Sequence, residues 1–214
     1  NERQVPTYIQ GTLQNASTAN RSTTAMVYEY LEAAAPAMKI KHPKSEFSIK
    51  SEELDDIGMK HIRLQQMYDN IPVYGGEVML HETNNQIDFL NGYYFPSFDL
   101  ENTTPSFSVE KGEEMVFANL GKQITYAIDI SQFGNMETKS ELVIYPYQDQ
   151  FNLAYHYTVY KNLIERWEYF IDAKSGEILN KYESMCKLHN HAPGEDICET
   201  HKEEDIADMV LLDG

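Results

Sequence analysis

The sequence predicts an α+β chain of two lobes, each a helix packed on an antiparallel sheet. Three observations lead there. A helical pattern over about residues 23–38 gives way to period-two runs that continue to residue 95. The same order, helix and then strands, returns over 108–183. The aromatic residues are 15 Tyr and 9 Phe against one Trp, and Tyr at alternating positions suits half-buried strands.

Residues 1–22 are polar, with a Ser/Thr/Asn-rich stretch over 15–22, and read as an extended lead-in. The first helix is expected from Thr23 or Thr24 to Met38, with the Thr pair capping it and Pro36 weakening its last turn. Pro43 falls in the loop beyond. From Glu46, Phe47, Ile49 and Ser51 alternate with polar neighbours. Strands over 59–68 and 71–80 follow, joined by the turn Asp69-Asn70, and Gly75-Gly76 marks a bulge or bend. Asn84-Asn85 turns the chain into a strand over 86–95, which closes a first lobe of 23–96.

A linker over 96–107 holds Pro96 and Pro105. The second helix runs from about Ser108 to Leu120, with Met115, Phe117, Ala118 and Leu120 as its apolar positions and Gly121 at its end. Strands over 141–147, 151–161, 165–172 and 178–182 complete a second lobe of 105–183, with Lys174-Ser175-Gly176 as its last turn. The tail, 184–214, has no clear period and carries eight acidic residues against two Lys.

Composition excludes whole classes of function. The chain has 17 Lys plus Arg against 34 Asp plus Glu, a formal charge of -17, so nucleic acid and anionic membrane surfaces would repel it. No apolar run approaches the ~18 residues that span a bilayer. Nothing at the N-terminus has the order of a signal peptide, so for an exported protein the signal is expected to have been removed before Asn1.

Catalytic motifs are missing as well. His81-Glu82-Thr83-Asn84-Asn85 begins like H-E-x-x-H, but its fifth residue is Asn and it ends a strand, so it reads as a solvated strand end. There is no G-x-S-x-G elbow and no P-loop. The densest constellation is Cys186, His189 and His191 followed by Cys198 and His201. A Cys186–Cys198 disulfide, a metal site made from these five residues, and free thiols all remain open. The acceptor pattern for glycosylation occurs at Asn15, Asn20 and Asn102 and carries little weight in so Asn/Thr-rich a chain.

Residues 58–95, with Arg63, Gln66, Tyr68, Ile71, Pro72, Val73 and Gly75 or Gly76, resemble the fungalysin/thermolysin propeptide module. Residues 150–180, with Leu153-Ala154-Tyr155, Arg166-Trp167, Phe170-Ile171-Asp172-Ala173 and Gly176-Glu177-Ile178, resemble the PepSY module that follows it in such pro-regions. The resemblance implies the secreted or periplasmic pro-region of a thermolysin-type zinc metalloprotease. Such a segment chaperones and inhibits its cognate catalytic domain and has no catalytic residue, cofactor or metal of its own, the zinc belonging to that domain. Arg63 and Gln66 then stand as candidate partner contacts on opposite strand faces, so that at most one of them meets a partner through the same surface. Val210, Leu211 and Leu212 are candidate fillers of a hydrophobic pocket or, the favoured alternative, a short strand beginning the catalytic domain. The alternatives are a stand-alone inhibitor or binding module and a metal-binding protein built on the Cys/His tail.

Overall fold

The computed structural model describes residues 5–11, 21–121, 138–162 and 165–184. In chain order these form β1 (Tyr8–Gln10), α1 (Thr23–Met38), α2 (Pro43–Glu46), β2 (Phe47–Leu54), β3 (Lys60–Tyr68), β4 (Ile71–Thr83), β5 (Gln86–Tyr93), α3 (Val109–Asn119), β6 (Lys139–Tyr147), β7 (Gln150–Asn162), β8 (Glu165–Asp172) and β9 (Ile178–Glu183). The fold is mixed α+β, as expected, with few helices and one large, mostly antiparallel sheet.

The starts, stops and turns follow local chemistry. The Ser22 hydroxyl, rather than either Thr, caps α1 by accepting from the Ala25 N–H at 3.2 Å. Pro36 is carried inside the helix, which ends at Lys39 in the left-handed region (φ 58°). Asp69-Asn70 and Asn84-Asn85 both have positive φ at the two central positions, the geometry of two-residue hairpins. In the last turn the Asp172 carboxylate accepts from the N–H groups of Lys174 and Ser175, while Gly176 takes φ 79°.

The two expected lobes do not stand apart. Among the described residues there are two larger cores, one under α1 and one under α3, and a smaller cluster of Val143, Tyr145, Ala154 and Phe170. Met26, Val27, Tyr30, Leu31 and Met38 of α1 pack on Ile62, Leu64, Val78, Leu80, Ile87 and Leu90. Val116 of α3 packs with Leu153, Tyr155, Tyr157, Tyr169 and Ile171, but this second core also takes in Val73 of β4 and Phe95. Parallel pairing of Val73 with Ile144 joins β4 to β6, so the order runs β1-β5-β4-β6-β7-β8-β9, with β2 and β3 branching from β4.

Gly75-Gly76 is where that junction is made. The β3–β4 register breaks between Gln65 and Met67, and Gly75 adopts φ 70°. Carbonyls released by the break do not go unsatisfied: the Gln65 side-chain amide donates to Val73 O at 2.8 Å and Gly76 O at 3.1 Å. The segment 96–107, read as a linker, is packed structure. Phe98 stacks between Tyr68 and Phe151, the Leu100 N–H donates to the Tyr68 hydroxyl, and the Ser106 N–H donates to Ala173 O.

The buried face of α3 also differs from the expected one. Gly112 and Val116 are buried, one turn apart, in place of the Met115/Phe117/Ala118/Leu120 grouping, of which Ala118 is exposed and the others are only partly buried. Gly112 is small because the Tyr157 hydroxyl lies over it, donating to Val109 O at 2.7 Å. A Cβ at Gly112 would overlap that hydroxyl and lie 3.0 Å from Tyr157 Cζ. Gly112→Ala is therefore expected to lose about 1–3 kcal/mol in urea unfolding, despite the roughly 1 kcal/mol that alanine gains in a helix.

Candidate functional site

Strand alternation gives the sheet a second face, and among the described residues no helix contributes to it. On the β6–β9 half this face carries Glu141, Val143, Tyr145 and Tyr147 from β6, and Ala154, His156 and Thr158 from β7. Glu168 and Phe170 of β8 and Tyr182 of β9 continue it. On the β2–β5 half it carries Lys50, His61, Arg63, Glu77, Met79, His81, Phe89 and Asn91, with Tyr8 at the outer edge. The Glu141 carboxyl is lowered chiefly by its hydrogen bond to His156, against desolvation, with a smaller contribution from the Lys50 charge of the other half.

The β6–β9 half is shielded by its own aromatic rings. Phe170, fully buried, is stacked between Tyr145 (3.9 Å) and His156 (4.6 Å), and Tyr74 meets it edge-on at 4.7 Å. Both His156 nitrogens face carboxylates, Nδ1 at 3.0 Å from Glu141 Oε1 and Nε2 at 2.9 Å from Glu168 Oε2. Burial works against a charged imidazole, but the two carboxylates outweigh it and hold His156 protonated, with its pKa pushed up to about 9. Thr158 and Ser184 donate to Glu168, and Arg166 Nε lies 3.3 Å from it, so this buried carboxylate is fully engaged. Burial would raise it, yet His156 and these hydroxyls keep it below its ordinary value.

The β2–β5 half is polar. Glu77 lies between Lys50 and Arg63, whose charges outweigh its desolvation and lower its pKa. Arg63 thus stands where a partner can reach it. Gln66 does not, and the expectation for it is corrected. It is 1% exposed, and its amide donates to Phe95 O at 2.8 Å and accepts from Phe95 N–H at 2.9 Å. It braces the chain leaving β5, inside the protein.

His81-Glu82, read as a solvated strand end, is also more organised than expected. Glu82 is 6% exposed, pairs with Lys60 at 3.0 Å and accepts from the Asn85 N–H. His81 stacks on Phe89 at 3.9 Å, meets His61 Nδ1 to Nδ1 at 2.9 Å, and sets its Nε2 2.6 Å from Asn91 Oδ1. Burial lowers its pKa, with the neighbouring His61 acting in the same direction against the Asn91 bond. Sequence reasoning missed this pair. Cys186, His189, His191, Cys198, His201 and Val210–Leu212 lie outside the described residues.

Exposed on this face are Tyr8 at one end (51%) and Tyr182 at the other (40%), with Arg63, Lys50 and Glu141 among the residues between. Tyr and Arg dominate the energetic centres of protein interfaces, and a broad sheet surface of this kind suits a folded protein partner better than a small molecule.

Residues 45–94, covering nearly all of α2 through β5, match the Fungalysin/Thermolysin Propeptide Motif. Thermolysin of Alicyclobacillus acidocaldarius subsp. acidocaldarius is 26% identical over 185 residues, 84% of this chain and 33% of the relative. Bacillolysin of Brevibacillus brevis is 28% identical over 170 residues, 75% and 31% of the two chains, and neutral protease B of Bacillus subtilis (strain 168) is 27% identical over 188, 85% and 34%. The chain spans about one third of the length of these relatives. The Bacillus megaterium YpeB C-terminal domain superposes with a TM-score of 0.38 at 12% identity, covering 85% of this chain and 73% of that one. The motif and the curated relatives support a pro-region of a thermolysin-type protease.

Proposed function

We propose that this chain is the pro-region of a secreted thermolysin-like zinc metalloprotease, and that it chaperones and inhibits its catalytic domain by docking through the helix-free face of the sheet. The observation that carries the reading is the propeptide motif over 45–94, which coincides with the strands presenting Lys50, Arg63 and Glu77. The physics suits the role. A preformed sheet can template a protease that would otherwise fold through trapped intermediates, and self-shielded aromatic packing keeps the template rigid before its partner arrives. In this reading zinc belongs to the partner, residues 150–180 act as a PepSY-like second module, and Val210–Leu212 fill an apolar pocket of the cleft. The acidic chain meets neither nucleic acid nor membrane; among the described residues no helix is long and apolar enough to cross one.

The test is inhibition. The full chain, mixed with the separately expressed mature domain of its own precursor, is expected to suppress hydrolysis of a peptide substrate. Arg63→Ala, which removes an exposed charge, or Tyr182→Phe, which keeps the ring on Phe170 and removes only the hydroxyl, is expected to raise the inhibition constant, the first tenfold or more. Inhibition insensitive to both substitutions but lost on removing 185–214 would move the contact to the tail. Absence of any inhibition would refute the inhibitor role, and failure of the chain to raise the yield of refolded protease would refute the chaperone role.

A further inference from the structure

The paired imidazoles of His61 and His81 have a geometry that a strand-end role leaves unexplained. They face each other across β3 and β4 as register partners, rings almost perpendicular (87°), with Nδ1 to Nδ1 at 2.9 Å. Each ring turns its other nitrogen to an acceptor: His61 Nε2 is 3.1 Å from Asp55 Oδ2, and His81 Nε2 is 2.6 Å from Asn91 Oδ1. The Asp55 carboxylate holds the N–H of His61 on Nε2 and leaves its Nδ1 as an acceptor, so in the metal-free protein the 2.9 Å contact is an N–H···N hydrogen bond from His81 Nδ1. With the His81 N–H moved to Nε2, where Asn91 Oδ1 accepts it, both Nδ1 lone pairs face the gap between the rings.

The alternative occupant is a metal ion, for which the same arrangement is well suited. Ligating histidines ordinarily give their second N–H to a carboxylate or carbonyl, which fixes the tautomer and raises ligand basicity. Here Asp55 and Asn91 are already in those places, and Phe89 stacked on His81 holds its plane. Asp55 is itself fixed, accepting from the N–H groups of Met59 and Ile57. Metal–nitrogen bonds of about 2.0–2.1 Å span a 2.9 Å gap at an angle of roughly 90°. That is the adjacent-ligand angle of a square or octahedral ion, whereas a tetrahedral ion calls for about 3.3 Å between the nitrogens. Among the described residues no group of three or more His, Cys, Asp or Glu converges on one point. The site is therefore an open two-histidine one, with solvent completing the shell.

We infer that His61 and His81 form a surface site for a divalent late first-row ion of the Cu2+ or Ni2+ type, with Asp55 and Asn91 as positioning residues. Binding replaces the hydrogen bond between the two Nδ1 atoms, the His81 proton passing from Nδ1 to Nε2 through solvent.

The test uses the full 15N-labelled chain titrated with substoichiometric Cu2+ near neutral pH, because paramagnetic broadening reports where the ion sits. Broadening is expected at the amides around His61, His81 and Asn91. It is expected to vanish there in His61→Gln/His81→Gln, while any broadening around the Cys/His tail persists. Asp55→Asn, which leaves both imidazoles in place, is expected to weaken binding 10–100-fold. Broadening confined to the tail in the unsubstituted chain, or surviving around positions 61 and 81 in the double variant, would overturn the inference and leave the pair joined by a hydrogen bond only.

Discussion

Replacing His156 with Gln lowers the stability of this chain by about 3 kcal/mol in denaturant unfolding near neutral pH. The side chain is close to the right size and keeps some hydrogen-bonding capacity, so the loss is one of charge. In the native protein the imidazolium sits between Glu141 and Glu168 and is stacked on Phe170. Glu168 is 7% exposed, and without His156 its nearest cation is Arg166, at 3.3 Å from the other carboxylate oxygen. A buried carboxylate deprived of one partner bears its desolvation cost uncompensated, which makes breaking such a group costlier than the group is worth intact.

The sign of the pH dependence separates this account from simple loss of packing. His156 titrates at about 9 in the folded chain against an ordinary 6.5. Its contribution is fully present below the unfolded value and is lost as pH rises through the folded one. Glu141 and Glu168 are both lowered from 4.5, so theirs is present above that value and is lost as pH falls. Wild-type stability is therefore expected to peak between about 4.5 and 6.5 and to decline towards pH 9, whereas His156→Gln loses that alkaline decline. A constant stability gap between the two proteins from pH 6 to pH 10 would show that charge is not the cause.

Local features of this fold were legible in the sequence, and its long-range joins were not. The 16-residue helix α1 and the two Asn/Asp turns follow from residue types whose backbone preferences act within a few positions. The β3–β4 register shows where that reasoning runs out. The turn pairs Tyr68 with Ile71 and Met67 with Pro72; continued without a break, it would set His61 opposite Val78. The break beside Gly75-Gly76 shifts the register by three residues and brings His81 there instead. An odd shift also exchanges the faces of β4 relative to β3. The glycine pair announced a bulge, but its size is set by the Gln65 amide and by β6 arriving at Val73, more than 70 residues later in sequence. Likewise, Arg63 and Gln66 share a motif, and only tertiary packing makes one a surface charge and the other an internal brace. The signal that 96–107 is no free linker lay in Phe98 and Leu100, apolar residues without a period to assign them to an element.

Gly92→Ala is expected to be the most damaging single methyl group in the chain, lowering stability by about 3 kcal/mol or more. Gly92 lies opposite Val78, on β5 beside the central strand, with φ 137°, a region closed to ordinary side chains. A Cβ there would overlap the Glu77 carbonyl oxygen and come within 2.7 Å of Val78 Cα. Both are backbone atoms of β4, the strand that carries the register shift and the junction with β6, so neither side can yield by rotating a side chain. The Gly92 N–H also donates to Thr7 O, tying the N-terminal strand to the sheet at the same point. If β5 is displaced to relieve the overlap, β1 and Tyr8 go with it, and so does one end of the proposed docking face. Gly92→Ala should therefore cost inhibition as well as stability, whereas Gly112→Ala, on the helix-covered side, should cost stability alone. Equal unfolding midpoints for Gly92→Ala and the unsubstituted chain would mean that β4 and β5 can separate freely, which contradicts their close backbone packing.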